Sequence, residues 1–174
     1  MSDPATVHVH PVDAALAARI ATLQLAPGQY PYVGDVAFNL ADARRDPMSD
    51  AMAVMAGDQA IGFYRLDLTP RAVIGRELPA PHLGLRSLLL GREWQGRGLG
   101  TAAMHACCVD IRRRHPDRRW LALLVDCGNH AAIAAYRRTG FRATGERRAV
   151  CSWPQQLMLR RLDPPASAPF PLPH

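Results

Sequence analysis

Residues 95–101 read Gln-Gly-Arg-Gly-Leu-Gly-Thr, and this glycine-rich stretch decides how the chain is organised. It follows a short apolar run, residues 85–90, that is typical of a buried strand. After it, apolar residues recur at helical spacing, at Leu99, Ala102, Ala103, Ala106 and Val109. The predicted order is therefore strand, tight turn and helix. The first amides of such a helix lack intrahelical partners and lie at the positive end of its dipole, so the turn is a ready site for phosphate oxygens.

Two common phosphate-binding loops do not fit this stretch. A Walker loop requires a lysine, and the chain contains none. The dinucleotide fingerprint is spaced Gly-x-Gly-x-x-Gly, whereas Gly96, Gly98 and Gly100 are spaced Gly-x-Gly-x-Gly. On this motif alone, an ordinary strand-to-helix turn without a ligand is an equal alternative.

Length and composition indicate one globular domain. The chain has 174 residues, enough for a single core, and no apolar run approaches the roughly 20 residues that span a bilayer. The first residues lack the basic flank and apolar centre of a secretory signal, so we expect a cytoplasmic protein without a membrane partner. We assign residues 1–162 to the domain and the proline-rich residues 163–174 to a disordered tail.

The formal charge of +6 is carried entirely by arginine and is unevenly distributed. Residues 1–70 hold four arginines and eight carboxylates, a balance of −4, and the remainder holds 17 arginines and seven carboxylates, a balance of +10. A basic half that carries the phosphate turn fits an anionic ligand. The arginine clusters at 112–114 and 118–119 lack interleaved aromatic residues, so we predict a solvated helix end and no nucleic-acid partner.

Cysteines and histidines do not form a metal-ligand pattern. No Cys-x-x-Cys occurs, and the two histidines that share a strand face near the start have no third ligand close by. We therefore expect reduced thiols and no metal site. The residues concerned are His8, His10, Cys107, Cys108, Cys127 and Cys151.

A second motif follows the apolar run at 120–125. It places Asn129 at the start of a helix, Tyr136 seven residues later, and Gly140-Phe141 at the end. Seven residues are nearly two helical turns, so Asn129 and Tyr136 lie on one face of the predicted helix. Taken alone, a helix cap and a core tyrosine explain these positions better than a ligand does.

Together, the two motifs resemble those of the GNAT-type acyl-CoA N-acyltransferases. The spacing Gln95-x-x-Gly98-x-Gly100 is similar to the pyrophosphate loop of that family, and residues 125–141, with Asn129, Ala132, Tyr136 and Gly140-Phe141, are similar to its second signature. The resemblance covers about residues 50–162. It implies the GNAT fold, an α/β (α+β) domain with a mixed central sheet flanked by helices, in which strands 85–90 and 120–125 run parallel and then splay apart around acyl-CoA.

The resemblance also implies a role for each motif residue. Backbone groups of Leu88 and Leu90 would bind the thioester and the pantetheine arm, and the amides from Gly96 to Thr101 would bind the diphosphate, with Arg92 or Arg97 assisting. Tyr136 would be the general acid that protonates the CoA thiolate. The candidate cofactor-binding residues are Leu88, Leu90, Gln95, Gly96, Arg97, Gly98, Leu99, Gly100, Thr101, Asn129 and Tyr136.

The general base is the point at which the sequence departs from many relatives. Strand 82–90 contains no Asp or Glu, and none of Asp67, Glu77 and Asp126 stands out as a base acting through water. A GNAT-shaped CoA binder that senses without turnover is therefore an open alternative to an enzyme.

The acceptor is predicted to be an amine. Residues 29–33, 40–43 and 61–63 are loosely similar to segments of bacterial diamine and polyamine acetyltransferases, although Asn39 stands where relatives usually have Ser. The net negative charge of residues 1–70 agrees with a cationic acceptor. We predict acetyl transfer from acetyl-CoA to a primary amine, with a small amine or polyamine favoured over a peptide or protein amine. Homodimers are frequent among relatives, so both a monomer and a homodimer stay open, since no stretch of the sequence identifies an interface.

Local signals predict the remaining elements. We expect a strand at 6–10 and a helix that opens near Asp13 and ends at Pro27-Gly28. A short helix at 40–45 would be capped by Asn39, and a hairpin at 51–66 would turn at Gly57-Asp58. The loop at 69–81 is a candidate wall of the substrate site, and strands at 142–150 and 156–162 would turn around Trp153-Pro154.

Overall fold

A computed structural model describes residues 6–150 and 153–162. Seven strands form one sheet in the order β1-β2-β3-β4-β5-β7-β6. The strands are β1 (Val7–Pro11), β2 (Ser49–Ala56), β3 (Gln59–Asp67), β4 (His82–Leu90), β5 (Trp120–Asp126), β6 (Arg142–Val150) and β7 (Trp153–Arg161). The helices are α1 (Ala14–Ile20), α2 (Tyr30–Val33), α3 (Val36–Arg45), α4 (Leu99–Arg114) and α5 (His130–Arg138), with a 3₁₀ turn at Arg92–Trp94.

Strands β4 and β5 run parallel and then separate, as predicted. Their pairing covers His82 to Gly84 of β4 and Trp120 to Ala122 of β5. Beyond these residues, β4 continues beside β3 as far as Leu90, and β5 continues beside β7 as far as Asp126. The facing edges of the two strands therefore form an open wedge, which we call the gap.

A β-bulge at Ser87–Leu88 accompanies this separation. Between the pairs Arg65↔Arg86 and Phe63↔Leu89, β4 contains one more residue than β3, and Ser87 has a left-handed φ of 53°. The extra residue inverts the side-chain alternation. Leu85 faces the main core, and beyond the bulge Leu88 and Leu90 face that core while Leu89 faces the other side. Such a bulge bends and twists its strand, which turns the end of β4 away from β5.

The sheet buries a core on each face. Helices α4 and α5 cover the first face, where Tyr64, Met104, Ile111 and Phe141 are fully or almost fully buried. On the second face, α1 and α3 pack against β2, β3 and the end of β4. Residues of the 69–81 loop cover β5 and β7 on that face through Ile74. Each helix therefore lies where the alternation of its neighbouring strands presents apolar side chains.

Helix α5 ends and begins as predicted. The Asn129 side chain accepts a hydrogen bond from the Ala132 N–H at 3.2 Å, which caps the first turn. At the other end, Gly140 adopts a φ of 92°, and the Phe141 N–H donates to the Tyr136 carbonyl at 3.0 Å. This is the Schellman arrangement, in which a left-handed glycine closes the helix.

Three local predictions were wrong. Helix α1 ends at Ile20 rather than at Pro27-Gly28. Helix α3 starts earlier than predicted, because Asp35 and not Asn39 caps it by accepting from the Phe38 N–H at 2.6 Å. Residues Trp153-Pro154 begin β7 instead of forming the turn, since Val150 pairs with Trp153. The turn itself, Cys151 and the predicted tail at 163–174 lie outside the described residues.

Candidate active site

Six consecutive backbone amides, from Gly96 to Thr101, form the centre of the site. Within the described residues none of these N–H groups has a hydrogen-bond acceptor, and the next amide, that of Ala102, bonds to the Gly98 carbonyl at 3.3 Å. They precede and open the 16-residue helix α4, so the positive end of its dipole lies among them. The glycine turn thus offers a row of donors to an external acceptor.

The backbone conformation of the turn depends on its glycines. Gly96 and Gly98 have φ values of 70° and 75°, in the left-handed region that side chains disfavour. A Cβ atom built at either position would meet no atom within 4 Å, so both face open space. The turn is therefore both shaped for close approach and accessible to a ligand.

Two arginines lie beside these amides. The Arg97 guanidinium is 5.5 Å from the centre of the Trp94 ring, a cation–π contact that holds it next to the turn. Arg92 is exposed on the preceding 3₁₀ turn. Neither forms an ion pair with a carboxylate of the described residues, so their positive charge is available to an anion.

Apolar residues from four elements are partly exposed at the surface of the main core. They come from the end of β4, from the turn and from the starts or faces of α4 and α5, and each packs against the main core while remaining partly exposed. The group consists of Leu88, Leu90, Trp94, Leu99, Ala132 and Tyr136. Residues of the two sequence motifs therefore pack against the same core.

Tyr136 is fixed in the last turn of α5. Its ring contacts Phe141 edge to face with 5.4 Å between centroids, and its carbonyl accepts from the Thr139 hydroxyl at 2.9 Å. Burial, with a smaller contribution from the Cys107 thiol, raises the pKa of Tyr136 to about 12. The phenol therefore keeps its proton throughout the neutral range and is able to donate a hydrogen bond.

The Gln95 side chain is engaged within the protein. Its Nε2 donates to the Leu90 carbonyl at 2.8 Å and to Gln29 Oε1 at 2.9 Å, and its Oε1 accepts from Gln29 Nε2 at 3.2 Å. The Leu90 carbonyl predicted to serve a pantetheine arm thus already has a donor. Gln95 fastens the turn to the end of β4 and to the segment after α1. Sequence spacing gave no sign of Gln29.

The structure does not single out a general base. Asp67 accepts from the backbone and hydroxyl of Thr69, at 3.1 and 2.8 Å, and Asp126 accepts from the Gly128 N–H at 2.7 Å. Glu77 is exposed on the loop. His82 is buried at the start of β4, near Ala72, where burial lowers its pKa.

The carboxylates of the N-terminal part are largely used to hold the fold together. Six of its seven described aspartates cap helices, pair with arginine or bond to a neighbouring threonine. Arg65, which is buried, accounts for two of them. The six are Asp13, Asp35, Asp42, Asp46, Asp50 and Asp67. The negative balance of residues 1–70 therefore gives little support to a polycationic acceptor.

Helix α2 carries two exposed aromatic residues, one of which lies near the β5 side of the gap. Tyr30 and Tyr32 are 62% and 47% exposed. A Cβ atom at Gly128, in the turn between β5 and α5, would lie 4.0 Å from the Tyr32 hydroxyl, so α2 reaches across to the far strand. The sequence predicted no helix here, because the segment contains two prolines and two glycines between residues 27 and 34.

Two absences concern the described part of the chain. Within residues 6–150 and 153–162, no three His, Cys, Asp or Glu side chains are grouped so that they could hold a metal ion. Over the same residues, no helix has both the length and the apolar character that crossing a bilayer requires.

Comparison with known proteins addresses the family. The sequence matches the family model described as Acetyltransferase (GNAT) family over residues 18–141. No curated protein sequence matches the chain.

Solved structures share the fold at low identity. A protein from Bacillus halodurans gives a TM-score of 0.74 at 16% identity, over 89% of this chain and 83% of that one. AAC(6′)-Ib, in complex with paromomycin and acetyl-CoA, gives 0.73 at 17%, over 90% and 93%. Spermidine N-acetyltransferase from Vibrio cholerae, in complex with CoA and spermine, gives 0.68 at 13%, over 90% and 96%.

Proposed function

Since this chain belongs to the acetyltransferase (GNAT) family, we propose that it transfers an acetyl group from acetyl-CoA to a small primary amine. Family membership confirms the predicted GNAT fold, the prediction of an N-acetyltransferase and the choice of CoA as co-substrate. The acceptor and the residue roles below are our proposal.

The observation that carries the proposal is the row of unpaired amides from Gly96 to Thr101. A diphosphate has oxygens enough to accept from several of them at once, and a helix start stabilises such an anion by about 0.3–1 kcal/mol per charge, more where it is partly buried. Arg97, held by Trp94, adds a cation at the rim. The open space at Gly96 and Gly98 lets the phosphates reach the backbone.

Protein groups on both sides of the gap are proposed to serve the transfer. Acetyl-CoA supplies the acetyl group as a thioester. The backbone at Leu88, beside the bulge, binds the thioester, and preorganised N–H donors stabilise the negative charge that develops on its oxygen. Tyr136 donates a hydrogen bond to the departing sulfur.

Proton movement follows from the two pKa values. The C–N bond forms as the C–S bond breaks, the amine nitrogen loses one proton and the sulfur gains one. A thiol has a pKa near 8.5, below the value of about 12 for Tyr136, so the phenol does not give up its proton to the sulfur outright. Tyr136 stabilises the sulfur by donation, and any proton it passes on is replaced by the one that leaves the amine.

The amine must arrive in its neutral form. Because a primary amine has a pKa near 10, only a small fraction is neutral at pH 7, and no carboxylate stands out among the described residues as the group that removes the proton. We therefore propose that water at the exposed edge takes the proton, and that the rate rises with pH as the neutral amine becomes more abundant.

The acceptor side favours a small amine over a polyamine. Its exposed groups are the rings of Tyr30 and Tyr32, while most N-terminal aspartates are committed to structural bonds. Aromatic faces attract one ammonium group by about 0.5–2 kcal/mol, whereas a polyamine needs carboxylates at several positions. A monoamine with an apolar or planar body fits this surface best.

An acceptor panel tests the proposal. Purified protein is incubated with acetyl-CoA and, in turn, aromatic monoamines, aliphatic diamines, spermidine, aminoglycosides and a lysine-containing peptide, and free thiol is measured. We expect the largest kcat/KM with a monoamine. A preference for spermidine would overturn the acceptor class, and a preference for the peptide would make it a peptide acetyltransferase. A protein that binds CoA in calorimetry but releases no free CoA thiol from acetyl-CoA with any of these amines would be a sensor. The absence of a carboxylate on β4 is what favours this alternative.

A further inference from the structure

Residues 24–33 lie across the open end of the gap, and we call this segment the strap. On the β4 side it is fastened at two points. The Gln24 carbonyl accepts from the Arg92 N–H at 2.8 Å, and Gln29 exchanges side-chain hydrogen bonds with Gln95. Leu23, just before it, lies against Gly91, where a Cβ atom would be 3.1 Å from its Cδ2. This end of the strap is thus attached to the 3₁₀ turn and to the glycine turn of residues 95–101, which we call the diphosphate turn in this proposal.

The other end of the strap reaches the β5 side. Tyr32 approaches the turn at Gly128, and the Val33 carbonyl accepts from Asn39 Nδ2 at 2.8 Å. Gly28 within the strap and Gly34 directly after it have φ values of 82° and 74°, and they flank the one-turn helix α2. The strap therefore spans from one splayed strand to the other and carries both exposed tyrosines.

We propose that Gln29 is a positioning residue of the acceptor site, which couples the diphosphate turn to the strap through its amide pair with Gln95. This inference rests on the proposed function. When CoA orders residues 95–101, Gln95 is held in place, and through Gln29 it fixes the strap and the positions of Tyr30 and Tyr32. CoA binding thereby prepares the surface that receives the amine.

The amide pair is suited to this role because it is reciprocal. Each glutamine both donates and accepts, Gln29 Oε1 also accepts from the Ala26 N–H at 3.2 Å, and Gln95 Nε2 also bonds to the Leu90 carbonyl. Strap, turn and β4 are thus joined in one network of partly buried groups. The strap itself contains no charged residue, so no ion pair of its own holds it down.

Two variants of the same residue type test the coupling. Gln29→Ala removes the pair, whereas Gln24→Ala is the matched control, since only the backbone carbonyl of Gln24 holds the turn and its side chain bonds weakly to Thr22. Amide exchange of residues 24–33 is followed by mass spectrometry with and without CoA, CoA affinity is measured by calorimetry, and the acceptor KM is measured with the best amine.

We expect CoA to slow exchange of the strap at least fivefold in the wild-type protein and in Gln24→Ala. In Gln29→Ala that protection is lost and the acceptor KM rises about tenfold. CoA affinity falls by about the same factor as the lost protection, because coupling between two sites is reciprocal. In the double variant, strap protection and the acceptor KM should change no further than in the more affected single variant, because residues that act as one pair are not additive. Gln95→Ala also removes the bond to the Leu90 carbonyl, so only its strap exchange and acceptor KM, and not its CoA affinity, are compared with those of Gln29→Ala.

The outcomes separate this inference from the function on which it rests. Failure of the wild-type protein to bind CoA would overturn both. CoA binding with no change in strap exchange, or with unchanged protection and KM in Gln29→Ala, would overturn the coupling alone. Additive effects of the two single variants would also overturn it, since each glutamine would then act separately.

Discussion

Helices α4 and α5 both begin at the wide end of the gap, yet they begin in opposite ways. Helix α5 is closed by the Asn129 side chain, as α1 and α3 are closed by Asp13 and Asp35. Helix α4 starts at Gly98, which has no side chain to offer, and leaves its first amides without acceptors. A side-chain cap stabilises a helix by about 1 kcal/mol, so α4 forgoes stability that its neighbours have.

The difference assigns a separate task to each helix. An open start is a disadvantage for folding and an advantage for binding, because the same amides cannot serve both a side-chain cap and an anion. A closed start fixes the helix that follows, and α5 carries Tyr136 in its last turn. Helix α4 is therefore suited to hold the diphosphate, and α5 is suited to hold the phenol still.

Closing the start of α4 should produce the largest effect. Gly98→Asp places a carboxylate at the N-cap, and we expect CoA affinity to fall at least 100-fold, since like charges brought together cost several kcal/mol. Gly98→Asn is the matched control, because it fills the same space and tolerates the left-handed φ without a charge. It should lose about tenfold. Calorimetric titration with CoA measures both, and tight binding by Gly98→Asp would place the diphosphate elsewhere.

Removing the phenol tests what α5 contributes. In Tyr136→Phe we expect kcat to fall about 10–100-fold with CoA affinity unchanged within twofold, because the hydroxyl is needed for donation and not for binding. Steady-state kinetics and calorimetry separate the two. An unchanged kcat would remove Tyr136 from the reaction, and a large loss of CoA affinity would make it a binding residue.

The pH profile sharpens the same assignment. Because the pKa of Tyr136 is raised to about 12, its proton is present below that pH and is lost only above it. The wild-type kcat/KM should therefore rise with pH, as the amine loses its proton, and show no fall up to about pH 10. A fall between pH 8 and 10 would indicate an essential acid other than Tyr136.

Opening the start of α5 separates the cap at Asn129 from the cofactor contact that the family resemblance implies for this residue. Asn129→Ala removes the cap and should lower the free energy of unfolding by about 1 kcal/mol, or the Tm by about 2–4 °C. Asn129→Asp keeps a capping oxygen and serves as the control. Thermal unfolding and CoA titration measure the two effects. A loss of CoA affinity beyond tenfold in the alanine variant would show that Asn129 also contacts the cofactor.

The smallest effect is expected at the rim of the α4 start. Arg97→Gln removes an exposed charge and should weaken CoA binding about threefold at low salt, with the difference disappearing near 0.5 M NaCl because salt screens exposed charges. Arg112→Gln, at the far end of α4, is the control for net charge. Equal losses in both variants would attribute the effect to the overall charge of the protein and not to a contact.

Much of the fold follows from the sequence because its signals are local. The hairpin at Gly57, the glycine turn and the cap and end of α5 each depend on residues within a few positions of one another, and all are where the pattern predicts them. The two site motifs were recognisable for the same reason. Their meeting at the gap followed from the family resemblance and from the order of strand, turn and helix.

Features that depend on distant residues were not predictable in the same way. The pairing of Gln29 with Gln95 joins positions 66 residues apart, and no local pattern marks it. Asp35 displaces Asn39 as a cap because Gly34 ends α2 directly before it. The bulge had a visible signal, since the adjacent polar residues Arg86 and Ser87 interrupt the alternation of β4.

At the three leucines of residues 88–90, the bulge affects side-chain burial and backbone hydrogen bonding differently. Because residues 88–90 are all leucine, this part of β4 gives leucine side chains to both cores with or without the bulge. The hydrophobic contacts therefore depend little on the extra residue. The direction of the backbone groups does depend on the bulge, because N–H and C=O groups also change direction at every residue. Ser87 therefore governs which peptide groups point into the gap. An unbulged β4 of the same length would still place leucine in both cores, but it would present the opposite N–H and C=O groups along its open edge.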